Sequence, residues 1–557
     1  MPRIGLPTAL HLLGQASRVL PAVRFARAAE RPGDTQQAKL AELLRVNAHT
    51  EYGEAHGFSS IRSPAEYARR VPLLTPDAFQ PFVEREMRGE RNVVTAEPPV
   101  YYTRTTGSSG AAKHVPITAS YRRDFQKTVY VALAHLWRRF PSAFLGRALY
   151  FVGSRRMDVA PDGNDVGTMS GYNFTELPPL LRGIYAWPYE LFEIADLRTR
   201  SYLSLVLALT SDVSLIAGIF PAPIVYLLRD LEARGDELAR DVGRGELSAS
   251  LVLTPEQRAR FAARVKPRAD IARKLTRALA GRPDNLVATA LPMLRLVYCW
   301  TTSTAALYVP ELRRRLGPKV AVRDAIYSAT EAWATIPMGD ETPGGALAIE
   351  SAFYEFIPED AFAAGGRDVV GADALEDGKR YAIVVTTAAG LYRYVLGDIV
   401  EVQGFYKKTP RLVFARRVGA ASNLVGEKLH EVHVTTAVSA ALEALGLDAT
   451  WFALAPRLTG AEPGYTLHLE LAPDARPASL ESIAARVDAA LCANASDYDR
   501  LRRGGALAPV DARSVAAGTY HAYRQDKLRG GAAEAQLKTA HLVAEATSLP
   551  APMRADR

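Results

Sequence analysis

Apolar residues recur at helical spacing through most of the first hundred residues. Gln37 to Asn47 places Leu40, Leu43 and Leu44 on one face, and Tyr52-Gly53 and Gly57 then break the pattern. Ser63-Pro64 ahead of Ala65 to Arg69 supplies a capping residue followed by proline at the first helical position. Arg70 to Pro76 reads as an extended connector and Asp77 to Met87 as another helix. Ala119 to Phe140 returns to the helical period at Phe125, Val129, Ala132, Leu133 and Leu136, with Ser120 as the expected cap. Arg147 to Gly153 is a short apolar strand, and the polar, glycine-rich Met157 to Asn173 is a loop. From Leu197 to Ala280 helices dominate. The most apolar window there, Tyr202 to Leu228, reads as two buried helices because Asp212, Pro221 and Pro223 interrupt it. Leu294 to Trp300 and Val320 to Ile326 return to strands. Strands alternating with helices predict an α/β fold with a largely central sheet.

Beyond Ala346 the texture becomes β-like, at Ala348 to Ile357, Tyr381 to Thr387, Ile399 to Phe405 and Arg411 to Phe414. Past Arg416-Arg417 the pattern predicts a helix at Glu431 to Leu445, strands at Thr450 to Leu458 and Gly464 to Leu471, and a helix at Ser479 to Ala493. Leu480, Ile483, Val487 and Leu491 give that last helix one apolar face. Two domains follow, a large one over 1–416 and a small α+β one over 417–557, with disorder expected from about Leu549. A length of 557 residues agrees, being more than one hydrophobic core usually organises.

Composition narrows the class. Two cysteines, Cys299 and Cys492, make neither a disulfide framework nor a cysteine-rich metal site, which points to a reducing cytoplasm. The formal charge of +8 comes from 68 basic and 60 acidic residues with no long basic run, so nucleic acid is not an expected partner. His11, Gln15 and Arg18 interrupt Ile4 to Val23, which is therefore an amphipathic helix and not a signal peptide. No window is apolar without interruption over the about 20 residues that a membrane span needs.

Candidate chemistry begins at Tyr101 to Ile117, YYTRTTGSSGAAKHVPI. Thr105, Thr106, Gly107, Ser108, Ser109 and Gly110 put four hydroxyls and two glycines in six residues ahead of Lys113. Such a stretch is either an anion-binding loop or a solvated turn. It is not a Walker loop, since no GK[ST] is present. Glu331, after the strand-like Val320 to Ile326, offers a hard oxygen where a strand end opens onto a crevice, a place suited to Mg²⁺. An acid beside a helix N-terminus is the plain alternative. Gly397 allows the backbone to turn before Asp398, whose carboxylate can accept two hydroxyls. Arg393 either pairs with an acid or touches a ligand. His114 stands beside Lys113, and His430 and His433 share a helical face, but no third zinc ligand accompanies them. A GxSxG elbow is absent.

Three stretches in order, Thr105 to Lys113, Tyr327-Ser328-Ala329-Thr330-Glu331 and Tyr392-Arg393-Tyr394-Val395-Leu396-Gly397-Asp398, resemble the adenylate-forming, firefly luciferase-like superfamily. Asn47-Ala48-His49-Thr50-Glu51-Tyr52-Gly53, Phe353-Tyr354-Glu355-Phe356-Ile357-Pro358 and Gly390-Leu391-Tyr392-Arg393-Tyr394 resemble, more narrowly, the auxin-responsive Gretchen Hagen family of acyl-acid amido synthetases in its bacterial form. The resemblance runs from about Leu43 to about Lys538. It implies a large adenylate-forming domain with a β-rich subdomain and a small mobile C-terminal domain.

The resemblance also implies roles. Thr105 to Gly110 and Lys113 would cradle the β- and γ-phosphates of ATP. Tyr327 and Ser328 would face the base, Thr330 the α-phosphate, Glu331 the metal and phosphates, and Asp398 the ribose. Arg417 would be the hinge, Lys428 a nucleotide-side lysine beyond it, and Lys538 the lysine that approaches the phosphates on closure. Thr539 stands where the family has proline. The implied activity is an ATP- and Mg²⁺-dependent ligase joining a carboxylic acid to an amine or amino acid through an acyl-adenylate. A thioester-forming ligase using coenzyme A and a non-catalytic nucleotide or acid sensor are the alternatives. The acid pocket is expected between the helices of roughly 130–230 and the strand ends near 300 and 327, with an apolar lining suited to a hydrophobic or aromatic acid.

Overall fold

The computed structural model describes residues 6–104, 113–194, 196–281, 286–417, 421–422, 424, 427, 429–457, 463–472, 479–503, 507–529, 540–543 and 549. The chain divides into two compact units, one built on Met1–Ala415 and the other on Arg416–Ala532.

Short helices open the first unit, and polar caps set their starts. Thr50, Ser63 and Thr75 each accept a hydrogen bond from the third backbone N–H of the helix that follows, in Glu51–Ala55, Pro64–Arg70 and Pro76–Met87. The long helix Ala119–Arg139 is capped by Thr118, whose hydroxyl accepts from the Tyr121 N–H, two residues before the expected Ser120.

Among the described residues of the first unit the strands form three sheets, the expected β-rich region beyond Ala346 among them. The first holds Arg147–Tyr150, Val213–Ala217, Leu296–Tyr298 and Ala321–Arg323 in that spatial order, all parallel. Helices Leu197–Leu209, Ala222–Ala233 and Val309–Leu316 fall between these strands in the chain, as parallel pairing requires. The strand Val213–Ala217 replaces part of the expected helical window, Tyr202 to Leu228. Val213, Ser214, Leu215 and Ile216 are all buried, so the strand shows continuous burial and no alternation.

The second sheet has seven strands in the order Val370–Gly371, Phe353–Pro358, Arg380–Thr386, Tyr394–Tyr406, Thr409–Arg417, Gly345–Leu347 and Thr335–Ile336. Its core includes Tyr354, Phe356, Ile383, Val385 and Val400, all essentially inaccessible. The third pairs Tyr101–Arg104 antiparallel with His114–Ile117 and parallel with Asp165–Gly167. Asp158–Val159 joins at its edge, so the expected loop at Met157 to Asn173 is a small hairpin and a helix, Met169–Thr175, capped by Thr168.

In the second unit helices Glu431–Leu445 and Leu480–Asn494 accompany a sheet ordered Ala449–Arg457, Gly464–Leu471 and Asp511–Ser514. The first two strands and both helices lie within a residue or so of their expected bounds. The third strand, pairing parallel with Gly464–Leu471, was not foreseen. Among the described residues no helix is long and apolar enough to cross a membrane.

One buried acid gives the first unit a pH-dependent stability. Glu86 is 3% exposed, and burial pushes its carboxyl from 4.5 up to about 7 despite the nearby Val94 N–H and Thr95 hydroxyl. A raised carboxyl pKa stabilises fully below the unfolded value and loses that contribution as pH rises through the folded one, here over about pH 4.5 to 7. The full effect is roughly 3 kcal/mol. Glu86→Gln is therefore expected to flatten the fall in thermal stability between pH 5 and pH 8. Parallel curves for wild type and variant would contradict this.

Candidate functional site

The chain leaves the parallel strand Ala321–Arg323 and turns back on itself as a narrow hairpin. The Ala334 N–H donates to the Tyr327 carbonyl at 2.9 Å and the Ala329 N–H to the Ala332 carbonyl at 2.8 Å. The Tyr327 N–H donates to the Thr335 hydroxyl at 2.9 Å, and Ser328 bridges antiparallel to Trp333. Thr330 and Glu331 form the tip. The Glu331 side chain thus sits at a hairpin tip and not at a helix N-terminus, and the residue is only 5% exposed.

Asp398 reaches the same place from the strand Tyr394–Tyr406. Along its pairing with Arg380–Thr386, Ala382 faces Ile399 while Val384 faces Val395, so two steps on one strand are spanned by four on the other. This is a bulge, and Gly397 inside it has a φ of +76°, a conformation that glycine adopts without steric cost. The bulge re-aims Asp398, 3% exposed, toward the hairpin. There the Tyr327 hydroxyl donates to Asp398 Oδ2 at 2.6 Å, and the Tyr394 hydroxyl to Glu331 Oε1 at 3.4 Å. Each carboxylate of one motif therefore meets a phenol of the other. The Tyr327 ring also lies 5.4 Å from that of Phe414.

Arg393, between these groups in sequence, faces away from them. Its Nε lies 3.2 and 2.9 Å from the two oxygens of Glu355, and its Nη1 donates to the Ala68 and Val71 carbonyls. Both partners are buried, so of the two readings of Arg393 the structural one holds. It does so at a φ of +44°, a left-handed conformation costly for a side chain of this kind. Tyr392 is buried as well, donating to the Val94 carbonyl and stacking on Tyr52 at 5.0 Å.

The helix after the hydroxyl-rich stretch touches both motifs. The Thr118 hydroxyl donates to the Ala388 carbonyl at 2.8 Å, just ahead of Tyr392, and the Tyr121 hydroxyl to the Thr330 carbonyl at 3.3 Å. Phe125, one turn further on, packs edge-on against Trp333 at 4.2 Å. Burial, and then the charge of Glu331, push the Tyr121 phenol well above its usual range.

Tyr121 and Tyr394 were missed as contributors to the site. Nothing in the sequence marks Tyr121, which meets its partner across 209 residues, whereas Tyr394 lies inside a motif but carries no charge to advertise it.

Other expected residues stand apart or outside. Lys113 forms an ion pair with Asp77, 2.6 Å away. Arg417 is exposed at the end of Thr409–Arg417. Thr105, Thr106, Gly107, Ser108, Ser109, Gly110, Lys428 and Lys538 lie outside the described residues. His114 has its N–H on the Gln80 side chain, and the His433 ring accepts from the His430 N–H at a helix start.

Among the described residues no three acidic, histidine or cysteine side chains group as a metal cage. Mg²⁺ does not need one, because it commonly binds through one or two carboxylates plus substrate phosphates and water. A single buried carboxylate at a hairpin tip, beside a second acid suited to a diol, fits that mode and fits a nucleotide.

Three family models match most of the chain: the GH3 family N-terminal domain over residues 22–322, the central domain over 345–417 and the C-terminal domain over 432–547. Jasmonoyl–L-amino acid synthetase JAR6 of Nicotiana attenuata is 26% identical over 92% of this chain and 91% of its own length. Indole-3-acetic acid-amido synthetase GH3.8 of Oryza sativa subsp. indica is 27% identical over 73% and 70%. The solved structure of AtGH3.15 acyl acid amido synthetase in complex with 2,4-DB superposes with a TM-score of 0.80 at 19% identity, covering 94% of each chain.

Proposed function

This chain belongs to the GH3 family, the family of acyl-acid amido synthetases, and on that premise we propose that it activates a carboxylic acid with ATP and passes the acyl group to an amine or amino acid. In the first half-reaction a carboxylate oxygen of the acid bonds to the α-phosphorus and pyrophosphate leaves. In the second the amine nitrogen bonds to the acyl carbon, AMP leaves and the nitrogen gives up a proton. The observation that carries this reading is the meeting of Glu331 and Asp398 across the Tyr327 and Tyr394 hydroxyls.

Asp398, its carboxylate plane held by Tyr327, would grip the ribose diol, and Thr330 and Ser328 would line the nucleotide. Glu331 would hold Mg²⁺, which when bound offsets charge on the phosphates. Thr105, Thr106, Gly107, Ser108, Ser109, Gly110 and Lys113 would surround the β- and γ-phosphates, with Lys113 exchanging Asp77 for phosphate. A surface ion pair of that kind is worth about 0–1 kcal/mol, so the exchange costs little. Arg417, Lys428 and Lys538 would serve the second unit's reorientation between the half-reactions.

The acid would enter at the C-terminal ends of the parallel strands, where such sheets bind ligands. Tyr150 closes one of those strands and Phe151, Phe220 and Trp300 stand just past the ends, which supports a hydrophobic or aromatic acid. Cytoplasmic residence, supported by two free cysteines, and a bacterial source belong to the same proposal.

The test is a pyrophosphate-release screen over carboxylic acids without amine, followed by mass spectrometry of products formed with amino acids, amines or coenzyme A. Acid-dependent pyrophosphate and an amide product are expected. A thioester product would transfer the chain to the coenzyme A ligases, and ATP binding with no pyrophosphate from any acid would make it a sensor.

A further inference from the structure

Each acid of the site meets a phenol of the other motif. Asp398 is oriented by a phenol of the hairpin, and Glu331 by a phenol of the strand. Tyr327 lies opposite Asp398 and Tyr394 opposite Glu331, so the hairpin segment 327–331 runs against 394–398 and the two contacts cross between them. The two bonds differ in length. At 2.6 Å the Tyr327 contact is a strong charge-assisted bond that fixes the carboxylate plane. At 3.4 Å the Tyr394 contact is longer than an ordinary O–H···O bond, so it is cheap to lengthen or shorten as the Glu331 oxygens turn toward a cation.

The tip itself is braced from the other side. Tyr121 donates to the carbonyl of Thr330, the residue immediately before Glu331, and Phe125 packs on Trp333 two residues after it. Tyr394 in turn is fixed by an edge contact with Phe79 at 5.7 Å. Glu331 is thus bracketed by one phenol on its carboxylate and another on its backbone, from elements far apart in sequence.

We infer that Tyr394 and Tyr121 are positioning residues that set Glu331 for metal, and that their hydroxyls govern how strongly divalent metal and nucleotide reinforce each other in this site. The inference rests on the reading of Glu331 as the metal-holding carboxylate. Partners that orient a metal ligand typically change metal affinity by about 10- to 100-fold when removed. Because the Tyr394 bond is long, the lower end of that range is expected for it.

The experiment titrates the full chain calorimetrically with α,β-methylene-ATP, which is not cleaved between its α- and β-phosphates, with and without Mg²⁺. The ratio of the two dissociation constants measures the reinforcement, independently of turnover. Tyr394→Phe and Tyr121→Phe keep the rings and their packing and remove only the hydroxyls. Each is expected to lower the ratio by about 10-fold while leaving the Mg²⁺-free affinity within about 2-fold. A merely structural role would weaken binding in both conditions and leave the ratio unchanged.

Glu331→Gln separates the two failures. If it abolishes the Mg²⁺ effect while both tyrosine variants keep the wild-type ratio, the positioning role is wrong and the metal role of Glu331 stands. If Glu331→Gln itself keeps the wild-type ratio, the metal assignment is wrong and the inference falls with it.

Discussion

Glu331→Gln is expected to slow acid-dependent pyrophosphate release by about 10²- to 10³-fold, the range seen when one preorganised electrostatic group is removed from an active site. Affinity for AMP, which lacks the phosphates that the metal bridges, should stay within a few-fold of wild type. The separation follows from geometry: Glu331 is at the hairpin tip, whereas Asp398, the proposed ribose ligand, lies on the strand Tyr394–Tyr406 and meets Tyr327. Asp398→Ala should show the opposite split, weakening AMP and ATP together. Equal losses of AMP affinity in both variants would merge the two roles and contradict the assignment.

The second large effect is on stability. Arg393→Ala is expected to destabilise the first unit by about 3–5 kcal/mol, because it leaves Glu355 charged and buried without its partner. Burial already pushes the Glu355 carboxyl upward, with Arg393 opposing that shift. In the variant Glu355 would take up a proton to escape the cost, so the loss should be larger at pH 8 than at pH 5. Arg393→Lys should not restore stability, since an ammonium supplies no planar fork for the carboxylate and the two carbonyls. Urea unfolding followed at both pH values checks the size and the slope. A loss below about 1 kcal/mol would mean the pair is not what holds the left-handed backbone at this position.

That backbone matters for the site. Arg393 separates Tyr392, which points into the core, from Tyr394, which points at Glu331, and the left-handed turn between them divides the two directions. The motif that the sequence offers as ligand-binding is therefore half scaffold. Its arginine is engaged by Glu355, from the Phe353 to Pro358 stretch that also carried the family resemblance.

What could be read in advance follows from the range of the interactions. Caps and helical periods are local, so Ser63-Pro64 and the helix Glu431–Leu445 were legible to the residue. The strand Val213–Ala217 was not, because a strand buried on both faces has no period to distinguish it from a buried helix. Glu331 and Asp398 stand out as candidates because the resembling motifs place an acid at a fixed spacing from aromatic and glycine neighbours. Their crossing with Tyr394 and Tyr327 was not legible, since the bulge at Gly397 that aims Asp398 arises from how two strands pair. Tyr121 was read only as part of a helix, and its contact with Thr330 exists because the helix Ala119–Arg139 packs against the hairpin.

In the proposed reaction a carboxylate attacks the α-phosphorus of ATP beside Glu331 and Asp398. This step can be followed atom by atom with an acid labelled with ¹⁸O in both carboxylate oxygens, chosen from those that elicit pyrophosphate release and supplied with ATP and the accepting amine. One labelled oxygen should appear in AMP and the other in the amide carbonyl, with none in pyrophosphate. Unlabelled AMP, or label recovered in inorganic phosphate, would contradict the account.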